Sequence, residues 1–553
     1  MLSSPDEGAG EVRNGRSGGH LVARQLRVQG VDTVFCVPGE SHLDVLDGLY
    51  DEPEVKLVVC RHEAAACNMA VADAKLTGRP GVCMVSRGPG AAHAAIGVHI
   101  AEQDSAPLVL LIGQVPSRHR GRESFQEVDY RQFFGSMAKW VSEITHPDQV
   151  PETMARAFQV AAAGRPGPVV ISLPEDVLEM RSAVADAARD VVVEPAPSAA
   201  SMETLGRLLA RAERPIVVAG GSRWTEAATE ELRRFAERSS LPVAASFRSQ
   251  DVIDNRSQAY CGALGVGAPS GLLRLLPESD LVLALGTRLD DLTTGGYRLL
   301  RPPSPAQPLV HVHPEPGELG RVFQPELAIN ATPAAFLAAA SALDSAVPEG
   351  RRDWAGGLRE EYVRSRESNP RSPLDLAAVV RHLSDRMPDD TVITNGAGNY
   401  TGWVHRFHQF KRFGTQLAPV AGAMGFGVPA ALAAKLRHPE RPVVCYAGDG
   451  CFLMSSQELA TAARYQLPVI FVVIDNASYG SIRSHQVRRY PGRLHATDIT
   501  SPDFVAYARA FGCWGCEVTE TAAFAPALEA ALAAGQPALL HVRVDAALDL
   551  ASA

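Results

Sequence analysis

Short apolar runs recur along the chain, each breaking off in a cluster of small or polar residues, with stretches of helical character between them. Between positions 20 and 184 such runs fall at 33–37, 55–60, 81–85, 108–112 and 169–173. A continuous apolar run bounded by turn residues reads as a strand buried on both faces, and its alternation with helices predicts a doubly wound parallel sheet. The turns after three of these strands carry Pro38-Gly39, Arg61-His62-Glu63 and Arg87-Gly88-Pro89-Gly90. Ligands of such sheets bind outside the carboxyl ends of the strands, so these turns are expected to line one cleft.

The pattern then repeats twice. A Pro-rich stretch at 191–199, VVVEPAPSA, reads as an interdomain linker, and new apolar runs follow at 215–219, 241–245, 281–285 and 309–312. A polar stretch around 344–373 reads as a second linker with a surface helix, before runs at 391–394, 442–447 and 467–474. The expected organisation is α/β throughout, with three doubly wound parallel-sheet domains at 20–185, 200–343 and 373–553. Residues 1–19 are expected to form a mobile tail and residues 344–372 a linker.

Composition narrows the class of partner. The net charge of −9, without a Lys/Arg run, argues against nucleic acid and anionic membrane surfaces. No apolar run approaches the ~20 residues that span a bilayer, and the first nineteen residues lack the apolar stretch of a signal peptide, so a cytoplasmic enzyme is expected. The nine cysteines, several inside apolar runs, read as reduced core thiols. Cys513 and Cys516 have the spacing of a redox pair, but they do not open a helix after a strand and no second pair completes a zinc site.

The chemistry concentrates at residues 441–483. One apolar strand ends at Gly448-Asp449-Gly450, a helical segment runs from Ser455 or Ser456 through Arg464, and a second strand ends at Asp475-Asn476. A right-handed crossover sets two such strands side by side, which brings Asp449 and Asn476 together. A carboxylate, an amide oxygen and a backbone carbonyl from the following turn are hard oxygen ligands suited to Mg2+. The amides of Gly450 and Cys451 are expected to point at an anion. Alone, either cluster is an ordinary turn, since Gly, Asp and Asn dominate turns. Their pairing at consecutive strand ends is less ordinary.

GDG followed by a final Asn before x-x-Tyr-Gly resembles the diphosphate and metal signature of thiamine diphosphate enzymes, and the whole chain resembles the large, catalytic subunit of acetolactate synthase. The resemblance implies that Asp449, Asn476 and the carbonyl of Ser478 bind Mg2+, and that Gly398, Asn399 and Tyr400 contact the cofactor diphosphate. It makes Met424 the apolar wedge that bends the cofactor. It also demands a Glu far upstream to bond the aminopyrimidine ring; Glu63, in RHEAAA, meets the demand. Phe125 and Gln126 resemble residues that reach the reacting end of the cofactor, and Lys139 a substrate-channel residue.

The implied reaction is decarboxylation of a 2-oxo acid such as pyruvate and transfer of the carbanion equivalent to a second carbonyl, with a place in branched-chain amino acid biosynthesis. Two departures leave the acceptor open. Glu40, Ser41 and His42 stand where the synthases carry a second Gly after Pro-Gly, and Ser481 and His485 stand where they carry a Met and a Trp. A synthase proper, a carboligase for another carbonyl and a simple 2-oxo acid decarboxylase all fit. A flavin or nicotinamide oxidoreductase is disfavoured, since no G-x-G-x-x-G sits between a strand and a helix with a ribose-binding acid beyond it. In the synthases the middle domain cradles FAD, with 262–267 and 286–291 as the matching stretches here, while many relatives keep the domain without flavin. The resemblance further implies a homodimer or homotetramer, because the cofactor lies between units of different subunits, and leaves a small regulatory subunit open.

Overall fold

The computed structural model describes residues 15–189, 191–343, 347–368 and 373–545. The chain divides into two compact units, Met1–Val193 and Glu194–Ala553. The first contains one six-stranded sheet and the second contains two.

In the first unit the strands lie side by side in the order Lys56–Val59, Thr33–Cys36, Gly81–Val85, Leu108–Gln114, Pro168–Pro174 and Trp140–Glu143, all parallel. The three inner strands from Gly81 to Pro174 are buried at every position, as continuous apolar runs require in a sheet covered by helices on both faces. The half-polar edge strand Trp140–Glu143 joins the five expected ones. Ordered structure starts before His20. Arg16–Ser17 pairs antiparallel with Arg181–Ser182, and Ser17 caps the helix Gly18–Val28 by accepting the His20 N–H. The expected tail is thereby shortened, and its residues 1–14 lie outside the described residues.

The second unit holds the central sheet, ordered Tyr260–Ala263, Val243–Ala245, Pro215–Ala219, Leu281–Leu285, Leu309–His313 and Leu327–Asn330, and a last sheet, ordered Gln416–Leu417, Val392–Asn395, Val443–Gly448, Ile470–Asp475, Ala538–Arg543 and Trp514–Val518. Numbered within each sheet, the first and last share the order 2-1-3-4-6-5, whereas the central sheet has 3-2-1-4-5-6. All three are parallel throughout. The two sheets of the second unit are tied by buried polar clamps. Asn255 donates its N–H to the Phe410 carbonyl and accepts the Phe410 N–H on its side-chain oxygen, both at 2.9 Å.

The stretch expected as a linker at 344–372 is mostly the helix Glu349–Ser365. Arg351 within it is fully buried and donates to the carbonyls of Leu209, Ala212 and Ser239, so the helix is part of the central packing rather than a free connection. All nine cysteines are free thiols. Burial pushes the Cys513 thiol up to about 11, which disfavours its thiolate near neutral pH. Among the described residues no helix is long and apolar enough to cross a membrane.

Candidate functional site

Strands Val443–Gly448 and Ile470–Asp475 are hydrogen-bonded neighbours with Gly448 in register with Ile474, so Asp449 and Asn476 leave the sheet at adjacent carboxyl ends. Both line a cavity of about 350 Å3, together with Gly398, Asn399, Tyr400, Met424, Gly450, Cys451, Ser478 and Ser481. Every cofactor and metal residue expected in the last domain is thus gathered around one cavity. A short helix not expected from the sequence, Asp449–Leu453, starts at Asp449 itself and precedes the expected helical segment, which opens as a 3-10 turn at Ser456–Glu458 and continues as Leu459–Arg464. This early start places the amides of Gly450 and Cys451 in the first helical turn.

The turn after the second strand is tight. Ala477 adopts a left-handed φ of 48°, the Asn476 side-chain oxygen accepts the Ser478 N–H at 3.2 Å, and the Ser478 carbonyl accepts the Gly480 N–H at 2.8 Å. A carbonyl oxygen has a second lone pair, so that bond leaves Ser478 able to coordinate. At Gly480 a Cβ would stand 2.9 Å from Asn476 Nδ2, so only glycine lets the amide occupy its place. On the opposite wall Gly398 has a φ of 146° and a Cβ there would meet the Tyr400 ring at 2.9 Å. Tyr400 and Cys451 turn out to have further duties. The Tyr400 hydroxyl accepts the Gly396 N–H and donates to Cys451 Sγ, and the thiol also accepts the Gly425 N–H, so one buried cysteine ties together three loops of the cavity.

Two acids meet where these strands end. Burial, reinforced by a hydrogen bond with Asp475, pushes the Asp449 carboxyl up to about 6. At Asp475 burial acts in the same direction but is outweighed by donors from His541, the Ala477 N–H and Ser501, which hold its carboxyl well below the usual range. His541 Nε2 reaches Asp475 at 2.8 Å, and Ser501 Oγ bridges Asp475 at 2.8 Å and Asp449 at 3.3 Å. Sequence reasoning treated Asp475 as a strand exit and passed over His541 and Ser501. The signal was faint: His541 lies in the apolar run Ala538–Arg543, and a polar side chain inside a buried strand needs a partner. The set of a buried carboxylate, an amide oxygen and a carbonyl fits a hard divalent cation.

In the first unit Glu63 opens the helix Glu63–Thr77, one turn beyond the strand Lys56–Val59, with His62 as the N-cap accepting the Ala64 N–H on Nδ1 at 3.1 Å. The loop entering the helix Pro89–Asp104 comes to the same edge. A Cβ on Gly90 would stand 3.6 Å from Glu63 Oε1, and Gly88, whose N–H donates to the Tyr130 hydroxyl, is backed by Gln126. Gln126 has a left-handed φ of 65°, and Phe125 beside it is 76% exposed. Glu63 and the loop bearing Phe125 and Gln126 therefore share the carboxyl edge of this sheet.

The six substrate-pocket candidates fall in different places. Lys139 precedes its strand and so lies at the opposite, amino edge, where its ammonium donates to the carbonyls of Val160 and Ala163; it is not brought to the cleft. Ser41 and His42 are buried beneath the 86–90 loop. Ser41 Oγ bonds Ser86 Oγ and accepts the Arg87 N–H, while His42 Nε2 accepts the Gly39 N–H and burial holds the imidazole down at about 4. Of the three residues after Pro38-Gly39, only Glu40 presents its side chain to solvent. Ser481 lines the cavity, and His485 stands one turn further along the exposed helix Gly480–Arg489, accepting from Arg488.

At the switch point of the central sheet Gly221 has a φ of 80°, and a Cβ there would stand 2.1 Å from the Gly286 carbonyl oxygen, so the two strand exits touch. Gly265 and Gly267, in the other stretch matched to a flavin, are backed in the same way by Phe247 and Gly402. Glu226, in the first turn of the helix Glu226–Arg238, pairs with Arg412 at 2.9 Å.

Comparison with known proteins agrees with the architecture. Residues 16–133 match the thiamine pyrophosphate enzyme N-terminal TPP binding domain, 202–340 the central domain and 396–542 the C-terminal TPP binding domain. The chain is 33% identical over 534 residues to the acetolactate synthase isozyme 2 large subunit of Escherichia coli (strain K12), covering 96% of each. It is 32% identical to the acetolactate synthase large subunit of Corynebacterium glutamicum, over 93% of this chain and 84% of that one. Against the probable acetolactate synthase large subunit of Methanocaldococcus jannaschii it is 31% identical, over 96% and 92%.

Proposed function

Because the chain belongs to the thiamine pyrophosphate enzymes, alongside the acetolactate synthase large subunits, we propose that it is a Mg2+-dependent carboligase that decarboxylates pyruvate and joins the two-carbon fragment to a second carbonyl. When bound, thiamine diphosphate supplies the electron sink for the carbanion equivalent left by loss of CO2. Asp449, Asn476 and the Ser478 carbonyl hold the cation, and the amides of Gly450 and Cys451 with Asn399 receive the diphosphate. Met424, on the cavity wall, would support the cofactor rings. Glu63 acts on the aminopyrimidine, holding a proton at the ring nitrogen, and positioned proton transfer of this kind contributes about 10²–10⁴-fold.

The observation that carries this reading is the convergence of Asp449, Asn476, Ser478, Asn399 and Met424 on one cavity at adjacent strand ends. Glu63 lies in the first unit and the metal ligands in the second, which supports a homodimer or homotetramer with the cofactor between units of different subunits. The relatives are named large subunits, which supports a small regulatory partner. Ser481 at the cavity wall favours an acceptor that can take a hydrogen bond.

Calorimetric titration of thiamine diphosphate into cofactor-free protein tests the reading. Binding is expected with Mg2+ and not in EDTA, and pyruvate alone is expected to give 2-acetolactate. Binding that ignores the cation contradicts the assigned ligands. Acetaldehyde as the product would instead favour the decarboxylase.

A further inference from the structure

Glu63 is held by more than its own helix. Gly90 and His93 are three residues apart on the helix Pro89–Asp104 and so share a face. That face presents a different group to each carboxyl oxygen. Gly90, without a side chain, lies under Oε1, and His93 Nδ1 lies 2.9 Å from Oε2. The His93 side chain is 51% exposed, whereas that of Glu63 is 16% exposed. His62 stacks on the His93 ring with centroids 4.6 Å apart and planes at 29°, and His62 is itself fixed by the Ala64 N–H. The result is a line from a largely buried carboxyl to solvent, with the imidazole in the middle clamped on one face.

We propose that His93 is a positioning residue and proton relay for Glu63, passing protons between the carboxyl and solvent; this rests on the reading of Glu63 as the acid that serves the cofactor ring. At the start the pair carries two protons, one on Oε1 and one on His93 Nδ1. When Oε1–H passes its proton to the cofactor ring nitrogen it would serve, the resulting carboxylate takes the Nδ1 proton at Oε2, Nε2 takes one proton from hydronium or a buffer acid, and the imidazole ends in its other tautomer, so one proton enters from solvent for the one passed on. The return runs the same bonds backwards, so no oxidant or reductant is needed. Without His93 a carboxyl this sheltered must exchange its proton with solvent directly. The three side chains also have the composition of a His2Glu metal site, with ligand atoms within 4.8 Å of one another. Stacked rings argue for the relay instead, because in-plane lone pairs of near-parallel imidazoles run side by side rather than converging on one ion.

The test uses the full-length holoenzyme with thiamine diphosphate and Mg2+, and reads the exchange of the cofactor C2 proton for deuterium by quenched-flow NMR. Cofactor affinity is measured by intrinsic fluorescence. His93→Ala is expected to slow the exchange by at least about 10²-fold, the lower end for positioned proton transfer, with cofactor affinity unchanged and the rate restored in proportion to added imidazole. His93→Asn keeps a side chain that can bond Oε2 but cannot relay, so it should bind cofactor normally and exchange slowly; it serves if the alanine variant does not fold. Exchange at the parent rate in both variants overturns the proposal, as does a slow rate that imidazole leaves untouched. Zinc bound stoichiometrically to the purified parent and lost from His93→Ala also overturns it. Glu63→Gln separates the two readings: if that variant exchanges normally, the role of Glu63 fails, whereas slow exchange in Glu63→Gln with normal exchange in both His93 variants sinks the relay alone.

Discussion

Asp449 shows how far a single residue's role depends on neighbours distant in sequence. Its carboxyl is buried and raised towards neutrality beside Asp475, a state in which a divalent cation relieves both burial and charge repulsion. Asp475 supports that arrangement without being a ligand itself. Outer-shell partners of a metal site typically contribute 10–100-fold in affinity, so Asp475→Asn is expected to weaken Mg2+ binding by about 10-fold or more with little change in fold, read by the Mg2+ dependence of cofactor binding. The convergence of the proposed ligands was legible from small residues at strand ends, because the geometry of a parallel sheet brings them together. The supporting group was not: Ser501 and His541 arrive from other elements, and no local spacing links them to Asp475. Lys139 illustrates the opposite failure, where a local likeness suggested a pocket residue and the strand direction put it at the wrong edge.

Among the elements, the strands buried on both faces could be read directly, while five of the six edge strands were missed, Lys56–Val59 being the exception. Trp140–Glu143, Tyr260–Ala263, Leu327–Asn330, Gln416–Leu417 and Trp514–Val518 are all edge strands, short or half-polar, so they lack the continuous apolar run that marks an inner strand. Ala538–Arg543 is an inner strand with a histidine in its run. The helix Glu349–Ser365 was expected, but its packing was hidden by its charge, since its polarity suggests solvent while Arg351 is in fact satisfied by three buried carbonyls. Hydrogen bonds to a charged group contribute about 1.5–3 kcal/mol each, so Arg351→Ala is expected to destabilise the second unit by several kcal/mol, seen as a lower melting temperature with cofactor affinity retained in the surviving folded fraction. Gly480→Ala should do the reverse. Its Cβ would collide with the Asn476 amide at 2.9 Å, and a metal turn on an exposed helix can shift without unfolding the domain. Loss of Mg2+-dependent binding at nearly unchanged melting temperature is the expected signature.

At the scale of the whole molecule, three sheets with two strand orders explain why the chain reads as a repeat whose middle copy differs. The first and last share one order and carry the two halves of the proposed site, while the central sheet has a different order. Stability should carry a signature of buried histidines. Burial holds His42 down at about 4 and His405 and His408 at about 3, below the unfolded value of 6.5. Between those values the unfolded chain binds more protons than the folded one, so stability rises with pH there and is lost as pH falls. The melting temperature is expected to fall steadily from pH 6.5 towards 4 and to be flatter above 7, with a shallower acid slope in His408→Gln. With the site shared between subunits as proposed, activity should also be lost on dilution as the oligomer dissociates, which sedimentation velocity alongside specific activity would show.

The central claim is that Glu63 and the Asp449–Asn476 pair serve one cofactor in one reaction. Release of labelled CO2 from pyruvate, measured on cofactor-free protein with thiamine diphosphate and Mg2+ added singly and together, tests it most directly. CO2 should appear only when both are present and should fall by about 10²–10⁴-fold in Glu63→Gln. Turnover that needs neither addition, or that survives Glu63→Gln undiminished, would contradict the account.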